Sequence, residues 1–224
     1  MSSSYYAGPS PPTAVELRVL GALIEKRRTT PDAYPLSVNA LRLACNQSTN
    51  RDPVVDYDEH TILDALEHLG RRGWTRLASG AGSRARKYRH LFDDALDLAD
   101  DELALLCVLM LRGPQTPGEL KQRTDRLHGF ADLAALEETL EVLIARDLAV
   151  RLPRRPGQKE QRYAQLLDGG EPSADEAEPP AVVAGDLSPQ AAAPSDRSDR
   201  LEAIERDVAH LKDEVARLRD LLGG

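Results

Sequence analysis

The sequence predicts an α+β chain, mainly α with small β-hairpins, and three observations carry that prediction. The first is residues 61–89. Ile62, Leu66 and Leu69 fall four and three residues apart, so they share one face of a helix. Gly70 and Gly73 stop that helix, and Trp74-Thr75-Arg76-Leu77 alternates in the manner of a half-buried strand. Ser79-Gly80-Ala81-Gly82-Ser83 supplies turn residues before a return strand over 85–89. A helix followed by a basic β-hairpin is the second half of a winged helix. The second observation is repetition. Leu136, Leu140 and Leu143 repeat the 62/66/69 spacing at an offset of 74, and Glu102-Leu103 and Thr116-Pro117 repeat Glu16-Leu17 and Thr30-Pro31 at an offset of 86. The chain thus holds two copies of one unit, and the expected architecture is two tandem winged-helix domains. The third is a heptad pattern at the C-terminal end, which predicts a coiled-coil helix beyond a disordered tether.

Taken in order, residues 1–12 are rich in Ser, Tyr and Pro and are expected to be disordered. Thr13 and Glu16 make a T-x-x-E capping box that opens the first helix, expected to reach about Arg28 and to end before Thr29-Thr30-Pro31. Tyr34-Pro35 is a second break, because proline restricts the residue before it. A helix is expected to resume over 36–45, with Val38, Leu41 and Ala44 or Cys45 inward. Residues 46–53 are polar with little propensity. Asp56 with Glu59, or Asp58 as its own cap, opens the third helix. The first domain thus covers 13–92, with a short acidic connector next at 93–97. The second, 93–168, is expected to hold helices at 102–112, 117–126 and 132–146, a strand at 148–152 and a hairpin tip at 153–157. Because the repeat offset shrinks from 86 to about 75, the first copy carries eleven or twelve extra residues between its first and last helices. Residues 169–199 are rich in Pro, Ala, Gly and acids and read as a disordered acidic linker.

Residues 200–224 place Leu201, Val208, Val215 and Leu222 at heptad a, and Ile204, Leu211 and Leu218 at d. Valine at a with leucine at d favours a parallel two-stranded coil. Arg200, Asp207 and Glu214 at g face Glu205, Lys212 and Arg219 at e, opposite in sign at every pair of a parallel homodimer. The alternative is an amphipathic helix docked on its own chain.

The net charge of −8 belongs to the tail. Residues 13–167 hold 23 basic and 23 acidic residues, whereas 168–199 hold eight acids and one arginine. No apolar run is long enough to span a bilayer, and the N-terminus lacks the basic start and apolar core of a signal peptide. Cys45 and Cys107, without a CxxC, fit buried reduced thiols in a cytoplasmic protein.

The basic hairpins are the candidate site. Between His68 and Phe92 stand seven cations, Arg71, Arg72, Arg76, Arg84, Arg86, Lys87 and Arg89, and no acid. The second hairpin offers Arg151, Arg154, Arg155, Lys159 and Arg162, diluted by Glu160. Cations aligned on one element suit duplex phosphates. Against ordinary groove reading, the third helices expose Glu59, Asp64 and Glu67, and then Glu137, Glu138 and Glu141, which phosphates repel. Asn39, Arg42, Gln47, Asn50 and Arg51 offer further contacts, or serve as caps and turns. His60 and Asp64, four apart, lack further metal ligands. Gly80-Ala81-Gly82 lacks the rest of a phosphate loop, and Ser48 and Ser83 lack His/Asp partners.

The run EKRRTTPDAYPLSVNALRLACNQSTNRDPV, with RGPQTPGEL and RYAQLL downstream, resembles the YceH-type uncharacterised family of bacterial proteins. The likeness covers residues 13–167 and implies tandem winged-helix domains, with no activity and no catalytic residues to carry over. Where that family has a capping Ser before its second repeat, this chain has Ala99, so Asp97 or Asp100 is expected to cap instead. The expectation is therefore a dimeric, non-enzymatic DNA-binding protein without cofactors, a transcriptional regulator in type. The alternative is a scaffold whose acidic third helices bind a protein partner.

Overall fold

The computed structural model describes residues 10–78, 85–154 and 160–169, and all of these lie in one compact unit. It is an α+β structure whose described residues form seven helices and two small antiparallel sheets. The residues of the expected tether and coil, 170–224, lie outside the described residues, as do 1–9.

Helix α1, Ala14–Thr29, starts at the expected capping box: Glu16 N–H donates to the Thr13 hydroxyl, and Thr13 N–H donates to Glu16 Oε2 at 3.0 Å. Lys26, Arg27 and Arg28 occupy its last turn, where cations suit the helix dipole. Pro31–Ala33 make one 3₁₀ turn, so Thr30-Pro31 opens no α-helix here. Its repeat partner Thr116-Pro117 does, with Thr116 in a full capping box with Glu119. The two copies part at the next few residues, because Tyr34-Pro35 cuts the first one short.

The helix expected over 36–45 is only partly helical. Leu36–Ser37 is a strand, β1, and helix α2, Val38–Cys45, begins after it, with the Ser37 hydroxyl accepting from Ala40 N–H at 3.3 Å. Proline at 35 excludes a ladder donor there and sets an extended approach, which leaves Leu36 free to pair. Asp58 proves to be the cap of α3, Glu59–Arg71. Strands β2, Thr75–Leu77, and β3, Lys87–His90, form the hairpin, and β3 is central in the order β1-β3-β2.

The acidic connector expected at 93–97 is instead a short helix, α4, Phe92–Leu96. Phe92 is fully buried edge-on to Trp74, with ring centroids 4.9 Å apart, and Asp93 and Asp94 sit favourably in its first turn. Asp97 ends α4 in the left-handed region, and Asp100 is the first residue of α5, Asp100–Arg112, so neither caps α5. Ala99 holds the cap position and offers only its backbone N–H, which donates to Glu102 Oε2 at 2.8 Å: half a capping box.

Helices α6, Pro117–Thr124, and α7, Leu133–Ala145, come next, and strands β4, Ala149–Arg151, and β5, Tyr163–Gln165, close the second half. A backbone bridge between Gln115 and Tyr163 (3.0 and 2.8 Å) stands where β1 stands in the first half. The extra residues of the first copy are split between two connections, 30–37 against 113–116 and 46–58 against 125–132, with a longer α1. The repeated triads Ile62/Leu66/Leu69 and Leu136/Leu140/Leu143 are all buried.

A single apolar core runs through both halves, with α1 packed along α5 at its centre. Gly21 makes the approach possible: a Cβ there would stand 2.9 Å from Leu111 Cγ, and the Cys107 thiol donates to Gly21 O at 3.4 Å. Burial pushes the Cys45 thiol up to about 12, and that of Cys107 well above its usual range. Both are free and buried.

Candidate nucleic-acid interface

The hairpin β2–β3 aligns its cations by register. Arg76 lies directly opposite Arg89, while the flanking pairs Thr75↔His90 and Leu77↔Tyr88 turn to the other face. His90 and Thr75 are buried on that inner face, so Arg76 and Arg89 share the exposed outer one. Lys87, two residues before Arg89 and opposite Ser37, joins that face, and Arg86 is exposed beside it. Among the described residues no carboxylate forms an ion pair with Arg76, Arg86 or Arg89. Like charges directly opposite on a ladder are unfavourable, a cost an anion on that face would relieve.

Of the remaining cations of this hairpin region, Arg71 and Arg72 are engaged. Arg71 pairs with Glu67 one turn back on α3. Arg72 donates to Ser10 O and lies over the Trp74 ring, 5.4 Å from its centroid. Arg84 lies outside the described residues. In the second half, Arg151 pairs with Glu141 and stands 5.7 Å from the Tyr163 centroid. Arg162 donates to Pro114 O at 3.0 Å and approaches Glu119 at 3.9 Å. Arg154 is exposed, and Arg155 and Lys159 lie outside the described residues. The first hairpin therefore presents a cationic face, whereas the described cations of the second are largely tied to their own half.

The third helices show the opposite sign. Glu59, Asp64 and Glu67 on α3, and Glu137, Glu138 and Glu141 on α7, are all exposed. His60 Nδ1 meets Asp64 at 2.9 Å, and the backbone, with that carboxylate, raises the pKa of the exposed imidazole. Among the described residues no group of three His, Cys, Asp or Glu side chains is placed to hold a metal ion.

Of the polar residues on and after α2, Asn39 accepts from Arg42 at 3.2 Å and both keep some exposure. Arg51 is withdrawn into the fold. Its guanidinium makes a bidentate pair with Glu25 (3.1 and 2.6 Å) and donates to Ala44 O, Asn50 O and Gln47 Oε1. Burial raises the pKa of Glu25, but the Arg51 hydrogen bonds and charge outweigh it, so the net shift is downward. Arg18, also buried, donates to Cys45 O and Pro53 O, tying the 46–58 connection to α1. Nothing in the residue types around Arg51 marks it as internal, because its partner lies 26 positions upstream, on α1.

Beneath the hairpin, around the buried His90, sits a partly buried polar cluster that the sequence did not flag. His90 N–H donates to the Tyr34 hydroxyl at 2.8 Å, Arg27 donates to Asp93 Oδ2 at 2.6 Å, and His90 Nδ1 stands 3.4 Å from Asp93 Oδ1. Burial, offset in part by Asp93, pushes the His90 imidazole down to about 4. A histidine at a strand end opposite threonine carries no period signal that separates it from a solvated one.

No helix among the described residues is long and apolar enough to cross a membrane. A family model described as "Protein of unknown function, DUF480" matches residues 13–158. A UPF0502 protein of Solibacter usitatus is 49% identical over 199 residues, covering 89% of this chain and 92% of the relative. One from Geotalea daltonii is 54% identical over 172 residues (76% and 78% covered), and one from Citrobacter koseri 45% over 218 residues (94% and 97%). These matches bear out the resemblance carried by residues 13–167, and the chain is a member of the UPF0502 (DUF480) family of bacterial proteins.

Proposed function

We propose that the chain is a non-enzymatic, cytoplasmic DNA-binding protein of regulator type, built from tandem winged-helix domains and dimerised through residues 200–224. The observation that supports this reading most is the outer face of the first hairpin, where Arg76 opposes Arg89 beside Lys87 with no carboxylate pairing either arginine among the described residues. Each half has the order helix, helix, helix, hairpin, with a further extended segment paired to the return strand. That order suits a winged helix, in which the hairpin lies along the phosphate backbone. Contacts of that kind position a protein on a duplex without reading its sequence.

A second reading is favoured by the exposed carboxylates of α3 and α7, which suit a basic protein partner better than a major groove. Two charge reversals separate the readings. Arg76→Glu with Arg89→Glu should remove most binding to any duplex and leave capture of a protein partner intact. Glu59→Lys with Asp64→Lys should strengthen non-specific duplex binding on the first reading and abolish partner capture on the second. Duplex binding that survives the arginine reversal overturns the hairpin assignment.

A further inference from the structure

A second cationic site lies away from the hairpin. A cavity of about 560 Å³ opens between α1, the connection after α2, α5 and α6. Its volume falls within the roughly 300–1,000 Å³ usual for small-molecule sites. Lys26, Arg112, Arg123 and Arg126 all line it, from three different helices or their ends, and Glu25 is the one acid among the lining residues. Glu25 is already engaged, bound through both oxygens by Arg51 and standing 3.5 Å from Lys26. Arg123 keeps a long pair with Glu119 at 3.5 Å.

Arg112 and Arg126 have no carboxylate partner among the described residues. Arg112 donates to the neutral Asn50 side chain, and Arg126 is exposed on the rim. Partial burial, then the neighbouring charges of Arg123 and Arg51, lower the Arg112 pKa, and the carboxylates of Asp52 and Glu25 offset this only in part. Guanidinium groups bind phosphate in a two-pronged fashion, and several converging on one cavity match a multiply charged anion. Val108, Leu111 and Leu127 add an apolar share to the otherwise polar lining.

We propose that this cavity binds a phosphorylated small molecule, with its phosphate held by Arg112, Arg123 and Arg126 and its carbon skeleton against Val108 and Leu127. The site goes beyond the hairpin reading and does not depend on it.

Isothermal titration of the full chain tests this with inorganic pyrophosphate, adenosine diphosphate and, as the uncharged control, adenosine. Pyrophosphate and the diphosphate should each bind once per chain, and adenosine should not bind. Arg126→Glu and Arg112→Gln should each weaken both by at least roughly tenfold, the scale of one lost charge-assisted contact. Arg126 is exposed and holds no described contact, so its reversal leaves the fold intact. Arg86→Glu, on the hairpin, should leave both affinities unchanged, and its loss of binding would move the anion to the hairpin and overturn the proposal. Absence of saturable binding at millimolar concentration overturns it, as do affinities unchanged by Arg126→Glu, or exclusion of the diphosphate from a chain that binds pyrophosphate.

Discussion

Alanine at Gly21 tests how closely the two halves cross. An added Cβ would meet Leu111 Cγ and Cδ2 at 2.9 Å and Met110 Cβ at 3.4 Å, and Leu111 is held in the core rather than free to swing aside. Alanine in place of glycine inside a helix is worth about 0.8–1 kcal/mol in its favour. Overpacking a closely packed core costs about 1–3 kcal/mol. The clash therefore wins, and Gly21→Ala should lower stability by up to about 2 kcal/mol, with Gly21→Val lowering it further. Gly118 on α6 supplies the control, because nothing stands within 4 Å of its would-be Cβ. Gly118→Ala should raise stability by a few tenths to about 1 kcal/mol. In urea melts with a slope of about 2 kcal/mol/M, the two midpoints should move apart by up to about 1.5 M. If both variants rise together, α1 and α5 do not approach as described and the single core is wrong.

Leu66→Ala and Leu140→Ala, at matched buried positions of α3 and α7, should each cost about 2–5 kcal/mol in urea melts, whereas Glu67→Ala should leave the midpoint nearly unaltered. Glu25→Ala removes the bidentate partner of a fully buried guanidinium and should destabilise by about 3–5 kcal/mol; a change below about 1 kcal/mol would mean that Arg51 finds water. The buried His90 gains protons more readily unfolded than folded, since its pKa is depressed to about 4 from the usual 6.5. Its contribution is therefore fully present above pH 6.5 and lost as pH falls toward 4. Asp93, held below the usual carboxylate range by Arg27 and His90 against the cost of its own burial, shifts stability the same way at lower pH. Melting temperature should thus fall between pH 6.5 and 4, and His90→Gln should flatten that slope.

What was legible in the sequence was what depends on local spacing. The Thr13/Glu16 box, the inward triads at 62/66/69 and 136/140/143, and the hairpin after Gly73 arise from helical period, capping chemistry and turn residues, and each stands where those rules put it. The misses depend on partners distant in the chain. Leu36–Ser37 reads as the start of a helix and becomes a strand because β3 offers it a ladder about fifty positions away, at Tyr88 and Lys87. The acidic residues 93–97 read as a solvated connector, yet Phe92 finds Trp74 and winds them into a turn of helix. At the candidate site, the count of seven cations was legible, but its sorting was not. Arg71 and Arg151 are drawn to Glu67 and Glu141, while the strand register sets Arg76 against Arg89. The cavity beside Arg112 was invisible because its lining comes from segments that no local pattern relates.

The central proposal is that the first hairpin meets duplex phosphates, and the salt dependence of duplex binding by the full chain tests it most directly. If the hairpin neutralises about three or four phosphates, a plot of log affinity against log salt should be linear with a slope near about −3 to −4. Arg76→Glu with Arg89→Glu should flatten that slope by about two contacts on every duplex tried. A wild-type chain that binds no duplex at about 50 mM salt, or whose affinity does not change with salt, contradicts the account.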